Sequence, residues 1–432
     1  MTSAIIGEVE MIRPSALFSS ISGNSSVFKG ADVRVRSDKR PIDFLAGLPD
    51  PAILPYERIA CAFADVIGGG SREDRSSGDF SALSYSSPYG VDRLRRIVAG
   101  QRGVDPESVI ITNGAMEGVF LSAAATVDSG SRVLVENPAF PQCVKTFQRL
   151  GAHIETVGLT SEGIDVDEVE RLLAEAAREG RQYSAIYTIP DFQNPTGRLA
   201  SGRVKHRLLE LVAQYGVAVI ADNPYRELWF EQEPEEYPRE FRGTEGSPLF
   251  EVGSFSKWLG PGLRVGWVIA DPAYVRKIAA YRLGVDGGLS SATQYALARL
   301  LDAGSHVDPD QDEKRESWAD ALLFREREFY ADKAAALASA LRSGLGDDIE
   351  FDDPQGGYFL WARLPEWFHL DDPDAQRALA EQNINPVRGD SFFVGTADTR
   401  YARFSFAHSS KEDLIEGVNR LRLAVSGVRK GQ

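Results

Sequence analysis

The stretch GSFSKWLGPGLRVGW, residues 253–267, sets Lys257 between Ser256 and Trp258, with Ser254 just before it and Arg264 further on. A lysine that only kept a surface soluble would need no such neighbours. An amine among small hydroxyls, with a guanidinium close by, suits a group that condenses with an aldehyde while an anion is held beside it. Other short runs carry matching chemistry. Gly114 opens IITNGAMEG toward Ala115 and Met116, and Phe140 lies in VENPAFP; Asn194 lies in IPDFQNPTG, and Asp222 and Tyr225 in IADNPYREL. Taken singly, each is an ordinary turn residue, because Gly, Asp and Asn-Pro are common in turns. Taken together they offer an amine, a carboxylate, an amide, a phenol, an aromatic face and the free N–H groups of a helix start. An aldehyde-bearing pyridine with a phosphate uses every member of that set. The carboxylate keeps the ring nitrogen protonated, and the amide and phenol donate to the ring oxygen. The serines, the arginine and the helix start hold the phosphate.

These groups meet only if the elements carrying them end at one edge. From about 56 to 300, apolar runs alternate with helical patterns. SVIITNG, RVLVENP, AIYTIPD, VAVIADNP, LFEVGSFS and RVGWVIA are short, β-branched and nearly continuous in apolar character, as strands buried on both faces should be. Helical periodicity occupies 165–178 and 199–214. The alternation predicts an α/β fold with a mostly parallel sheet sandwiched by helices, and ligands of such sheets bind beyond the carboxyl ends of the strands. A long helical segment follows to about 343. The strand-like runs EFDDPQGGYFLWARLP, INPVRGDSFF and RYARFSFAH and a helix around 411–425 then predict a smaller α+β lobe. The expected division is an N-terminal arm and substrate-side segment over 1–50, with a short helix near 13–21, a large domain over 51–300 and a small domain over 301–432.

Composition removes other classes. The 432 residues carry a net charge of −15, against non-specific binding to nucleic acid or to an anionic membrane surface. No window approaches a membrane span, and the start reads as no signal peptide. Cys61 and Cys143 are the only cysteines, and five scattered histidines show no ligand spacing, so neither a disulfide framework nor a metal is expected and a cytoplasmic setting is.

The order and spacing of FQNPTG, YREL, GSFSKWLGPGLRVGW, PQGGYFLW and RFSFA resemble the fold-type I, pyridoxal-phosphate-dependent aminotransferases of class I/II. The likeness runs from roughly residue 11 to 425. Within that class the chain is most similar to the aromatic and 2-aminoadipate aminotransferase group, whose domain also occurs in MocR-type regulators. The resemblance implies pyridoxal 5′-phosphate as cofactor, with Lys257 as the Schiff-base lysine and proton shuttle and Asp222 as partner of the pyridine nitrogen. It implies Asn194 and Tyr225 as donors to the ring oxygen, and Phe140 as the stacking residue. Ser254, Ser256 and Arg264, with Gly114, Ala115 and Met116, form the phosphate side. Tyr85, in LSYSSPYG, matches a tyrosine that reaches the neighbouring subunit's phosphate, which implies a homodimer with shared sites. Arg403 matches the arginine that binds the substrate α-carboxylate, alongside Asn194, Gly47 and Phe18 on the substrate side.

The chain departs from that pattern in three places. Gly114-Ala115-Met116 stands where Gly-Ser-Gln is common, so backbone N–H groups must do more of the phosphate binding, and Met116 is placed to crowd the site. Phe18 aligns where members for acidic substrates place an arginine, with Arg13 one turn away, which disfavours a distal carboxylate. Residues 304–316 are longer and more acidic than the pattern, read as a solvated loop or as a lid. Transamination of an L-amino acid with a neutral, aromatic or large side chain against a 2-oxo acid is the leading expectation. The alternative is elimination, replacement or carbon–carbon bond formation from the same Cα carbanion in specialised metabolism. A ligand-sensing regulator is disfavoured, because too little chain precedes the first motif for a DNA-binding domain.

Overall fold

A computed structural model describes residues 38–68, 82–302 and 317–431. Phe18, Arg13, the 13–21 stretch and the 304–316 segment lie outside the described residues. All six apolar runs of the first lobe are strands of one seven-stranded sheet: β1 (Val109–Thr112), β2 (Arg132–Glu136), β4 (Tyr183–Thr188), β5 (Ala218–Asp222), β6 (Leu249–Ser254) and β7 (Gly266–Ile269). The seventh, β3 (His153–Val157), was not expected. It lies at the sheet edge and is largely half-buried, so its run HIETV lacks the continuous apolar signature of the others.

The spatial order is β1-β7-β6-β5-β4-β2-β3. Every neighbouring pair from β6 through to β3 is parallel. Only β7 runs the other way, antiparallel to both β1 and β6. Alternation along each strand feeds separate cores. Val133 and Val135 join one apolar cluster with helices Ala115–Thr126 and Pro141–Arg149, while Leu134 joins another with helices Val166–Arg178 and Gly202–Tyr215. Ile220 and its neighbours Val219 and Ala221 divide in the same way. Each fully buried aliphatic side chain of this kind contributes about 1.5–3 kcal/mol.

Local chemistry sets the helix limits that aim the strands. Asp165 accepts hydrogen bonds from the backbone N–H groups of Asp167 and Glu168, starting helix Val166–Arg178, as an N-cap should. Ser201 caps Gly202–Tyr215 through Val204 N, and Gly216, at φ 68°, ends it in the left-handed conformation just before β5.

The second sheet has the order β8-β9-β11-β10, built from β8 (Glu350–Phe351), β9 (Phe359–Arg363), β10 (Val387–Arg388) and β11 (Tyr401–Ser405). It packs with helices Trp318–Leu345 and Lys411–Gly431 in a cluster that also takes Phe255, Trp258 and Trp267 from the large sheet's side. Ile42–Asp43 pairs in parallel with Ile384–Asn385, which leads residues 44–50 from the small sheet toward Lys257. Among the described residues no helix is long and apolar enough to cross a membrane.

Candidate active site

The predicted residues arrive at one edge because the strand ends do. Gly114 follows β1, Phe140 follows β2, Asn194 follows β4, Asp222 ends β5, and Ser254 ends β6 with Ser256 and Lys257 just beyond. Arg264 precedes the reversed strand β7. Gly266 pairs with both Thr112 and Ser254, so the start of β7 lies beside the ends of β1 and β6.

Lys257 is half-buried, and its Nζ donates to the Gly47 carbonyl at 2.8 Å. The ammonium also lies 5.2 Å from the Tyr225 ring centroid and 5.8 Å from that of Tyr358. Enclosure by protein, then the nearby Arg403 cation, bring its pKa down to about 8, against the opposing pull of Asp222. Asp222 is buried. Its Oδ2 accepts from the Tyr187 hydroxyl at 2.9 Å, whereas Oδ1 has no hydrogen-bond partner in the described protein. Burial raises its pKa to about 6; the Tyr187 hydrogen bond and the Lys257 charge hold it from going higher.

At the end of β6, Ser254 Oγ lies 2.9 Å from Ser256 Oγ and accepts from Ser256 N at 3.1 Å. Arg264, exposed and in the left-handed region at φ 52°, donates from Nη2 to the Asn113 carbonyl at 2.9 Å. Gly114 is required here. Its φ is +76°, and a Cβ would stand 2.8 Å from Arg264 Nη2. Gly114 is the N-cap of helix Ala115–Thr126 and no side chain caps it, which aims the helix N–H groups at this corner. Met116 is half-buried in the first turn of this helix. Its sulfur packs 3.7 Å from Cys143 Sγ, against the core of helix and sheet. Phe140 is half-buried beside the same cluster, at the N-cap of helix Pro141–Arg149.

The opposite wall comes from the second sheet. Arg403 is buried in β11, donates from Nη1 to Asn194 Oδ1 at 2.9 Å and from Nη2 to the Leu45 carbonyl at 2.8 Å. Its guanidinium carbon lies 4.1 Å from the Phe359 ring centroid and 5.0 Å from that of Phe392. Burial lowers its pKa to about 10, so it stays charged near neutrality. Tyr225 is buried edge-on between Tyr358 and Phe359, each at 5.6 Å. Tyr85, by contrast, is 99% exposed.

Sequence reasoning missed Tyr187, whose hydroxyl donates to Asp222, and three further contributors. Tyr358 donates its hydroxyl to the Lys257 carbonyl, and Ser405 donates to the Ala46 carbonyl at 2.6 Å. Both lie in the quoted runs PQGGYFLW and RFSFA, so position was available but role was not. Glu136 accepts from Thr188 Oγ1 at 2.6 Å, from Ile189 N at 2.9 Å and from Gln193 Nε2 at 3.0 Å, fixing the turn that carries Asn194. Burial raises its pKa to about 7.

The arrangement fits a phosphorylated pyridine aldehyde. A buried carboxylate oxygen without a partner suits a protonated ring nitrogen, a lysine with a lowered pKa suits condensation, and the glycine-lined helix start suits a phosphate. The family model for aminotransferase class I and II matches residues 71–421, and the chain belongs to that family, whose cofactor is pyridoxal 5′-phosphate. The chain is 34% identical over 388 residues to a 2-aminoadipate transaminase of Thermus thermophilus, covering 90% of each chain. It is 29% identical to aromatic-amino-acid aminotransferase 1 of Thermococcus litoralis, covering 88% of this chain and 87% of the other. Among solved structures, the Thermus thermophilus α-aminoadipate aminotransferase complexed with N-(5′-phosphopyridoxyl)-L-leucine superposes with a TM-score of 0.78 at 32% identity. That match covers 91% of this chain and 94% of the other.

Proposed function

We propose that this chain moves the amino group of an L-amino acid with a neutral, aromatic or large side chain to a 2-oxo acid. The observation that carries the assignment of roles is the meeting of Lys257 with buried Asp222, whose Oδ1 is unbonded, at one sheet edge. Bound pyridoxal phosphate supplies the aldehyde for amine exchange and the ring that accepts the electron pair left at the substrate Cα.

The chain's residues do the rest. Asp222 Oδ1 holds the proton on the ring nitrogen. Asn194 and Tyr225 donate to the ring oxygen, and Phe140 covers a ring face. Ser254, Ser256, Arg264 and the N–H groups after Gly114 hold the phosphate. Arg403 fixes the substrate α-carboxylate, with Asn194 already bound to its Nη1 as an orienting group. Lys257 would move the proton between the substrate Cα and the bound cofactor, and its lowered pKa leaves a larger share of free amine near neutrality. Gly47, whose carbonyl accepts from Lys257 Nζ, lets the Phe359 ring pack against the backbone there, since a Cβ would meet that ring at 3.0 Å.

The apolar preference is supported by the rings around Arg403. Besides Phe359 and Phe392, Trp361 stacks on Tyr401 at 5.1 Å, with Phe393 against both. Tyr85 is assigned to the phosphate of a second copy, and its full exposure supports a dimer with shared sites. Free cysteines support a cytoplasmic setting.

A panel of ¹⁵N-labelled amino donors with a common 2-oxo acid tests the reaction. Label recovered in the new amino acid, with the largest kcat/KM for aromatic and large aliphatic donors, is expected. Label released as ammonium together with a cleaved side chain would replace transamination by elimination.

A further inference from the structure

The two oxygens of Asp222 have unlike surroundings. Oδ2 accepts from the Tyr187 hydroxyl at 2.9 Å, with Cys143 Sγ 3.9 Å from the same atom. Oδ1 is buried and unbonded. Tyr187 sits in β4, next to β5, and pairs with Ile220 two residues before Asp222, so the phenol reaches the carboxylate from the neighbouring strand. It is wholly buried, with its ring held edge-on to Phe147 at 5.8 Å. The sulfurs of Cys143 and Met116, 3.7 Å apart, form the adjoining wall and offer no strong donor. Burial pushes both the Tyr187 hydroxyl and the Cys143 thiol well above their ordinary pKa, so the phenol remains a donor at every working pH. A half-turn of the carboxylate would exchange its two oxygens. One strong donor on one side removes that freedom.

We propose that Tyr187 is a positioning residue that pins Oδ2 of Asp222 and so presents Oδ1 to the pyridine nitrogen of the cofactor. This rests on the reading of Asp222 given above. The consequence is selective. Loss of the phenol weakens the grip on a protonated nitrogen and leaves the grip on phosphate, aldehyde and ring face alone.

The test uses two probes on resolved enzyme: pyridoxal phosphate and its 1-deaza analogue, in which a ring CH replaces the nitrogen. Affinity is read by quenching of tryptophan fluorescence. For Tyr187→Phe, pyridoxal phosphate affinity falls about tenfold, as expected for a hydrogen bond to a charged group, while affinity for the deaza analogue stays within about twofold. In an Asp222→Asn background the same substitution has no further effect. Incorporation of 3,5-difluorotyrosine at 187, a stronger donor of the same shape, widens the preference for the nitrogen-bearing probe, and it serves should the phenylalanine variant not fold. Equal losses for both probes, or no loss for either, overturn the proposal. A wild-type enzyme that prefers neither probe instead overturns the role given to Asp222.

Discussion

Lys257 sits where its own charge is disfavoured. Burial and Arg403 bring its pKa from 10.5 to about 8, so the folded protein resists protonating it. The sign follows from linkage. Stability from this group is complete above the unfolded pKa and is lost as pH falls through about 8. Cofactor-free Lys257→Met is therefore expected to be more stable than cofactor-free wild type at pH 7, on the order of 1–3 kcal/mol, with the gap closing toward pH 10.5. Urea denaturation at the two pH values checks this, and a gap independent of pH would refute it. At this scale Lys257 and Asp222 were legible because their neighbours were odd for a surface: serines, glycines and apolar runs on either side. Tyr187 was not. Inside AIYTIPD a phenol reads as one more buried aromatic, and only the pairing of β4 with β5 reveals what its hydroxyl touches.

At the scale of elements, helix Trp318–Leu345 carries a buried acid that the chemistry does not use. Glu326 is fully enclosed with neither carboxyl oxygen bonded, four residues before Tyr330 on the same face. Burial raises its pKa to about 9. Its folded pKa lies above the unfolded value, so its contribution is complete below about pH 4.5 and drains away as pH rises through about 9. Glu326→Gln is expected to leave stability at pH 5 nearly unchanged and to raise it by on the order of 1–3 kcal/mol at pH 8.5, measured by denaturant midpoints. A larger gain at pH 5 than at pH 8.5 would show the opposite linkage. Strand existence was legible wherever both faces are buried, since β1, β5, β6 and β7 are buried at every position and carry runs of apolar residues. It was illegible for β3, whose run HIETV mixes polar with apolar residues because the strand is mostly only half-buried. The reversal of β7 was also beyond the sequence, because a buried strand has the same composition in either direction.

For the whole molecule, the arrangement of the site speaks to assembly. Tyr85 lies beside exposed Leu83, and Leu283 and Val285 are also exposed, near the Ser86–Leu289 hydrogen bond that joins the two segments. If two copies share sites through Tyr85, a mixture of Lys257→Ala and Tyr85→Ala chains, each nearly inactive alone, recovers about a quarter of wild-type activity after refolding together, because half of the dimers then hold one intact site. No recovery, with mixed dimers demonstrated by mass, would place Tyr85 outside the neighbouring site. Such sharing leaves little imprint within one chain: a tyrosine this exposed looks like any surface residue until a second copy is considered.

The reversed strand has a further consequence. Strands β6 and β7 are antiparallel and joined by residues 255–265, a loop closed at its base by the Phe255 N to Val265 carbonyl hydrogen bond. Lys257 and Arg264 therefore lie in one connection that holds a short 3-10 turn at Pro261–Leu263 and no crossover α-helix. Lys257 and Arg264 are thus mechanically yoked. Amide exchange should report the two ends of this connection opening together as one cooperative unit, and lengthening it by even one residue should disturb both residues at once.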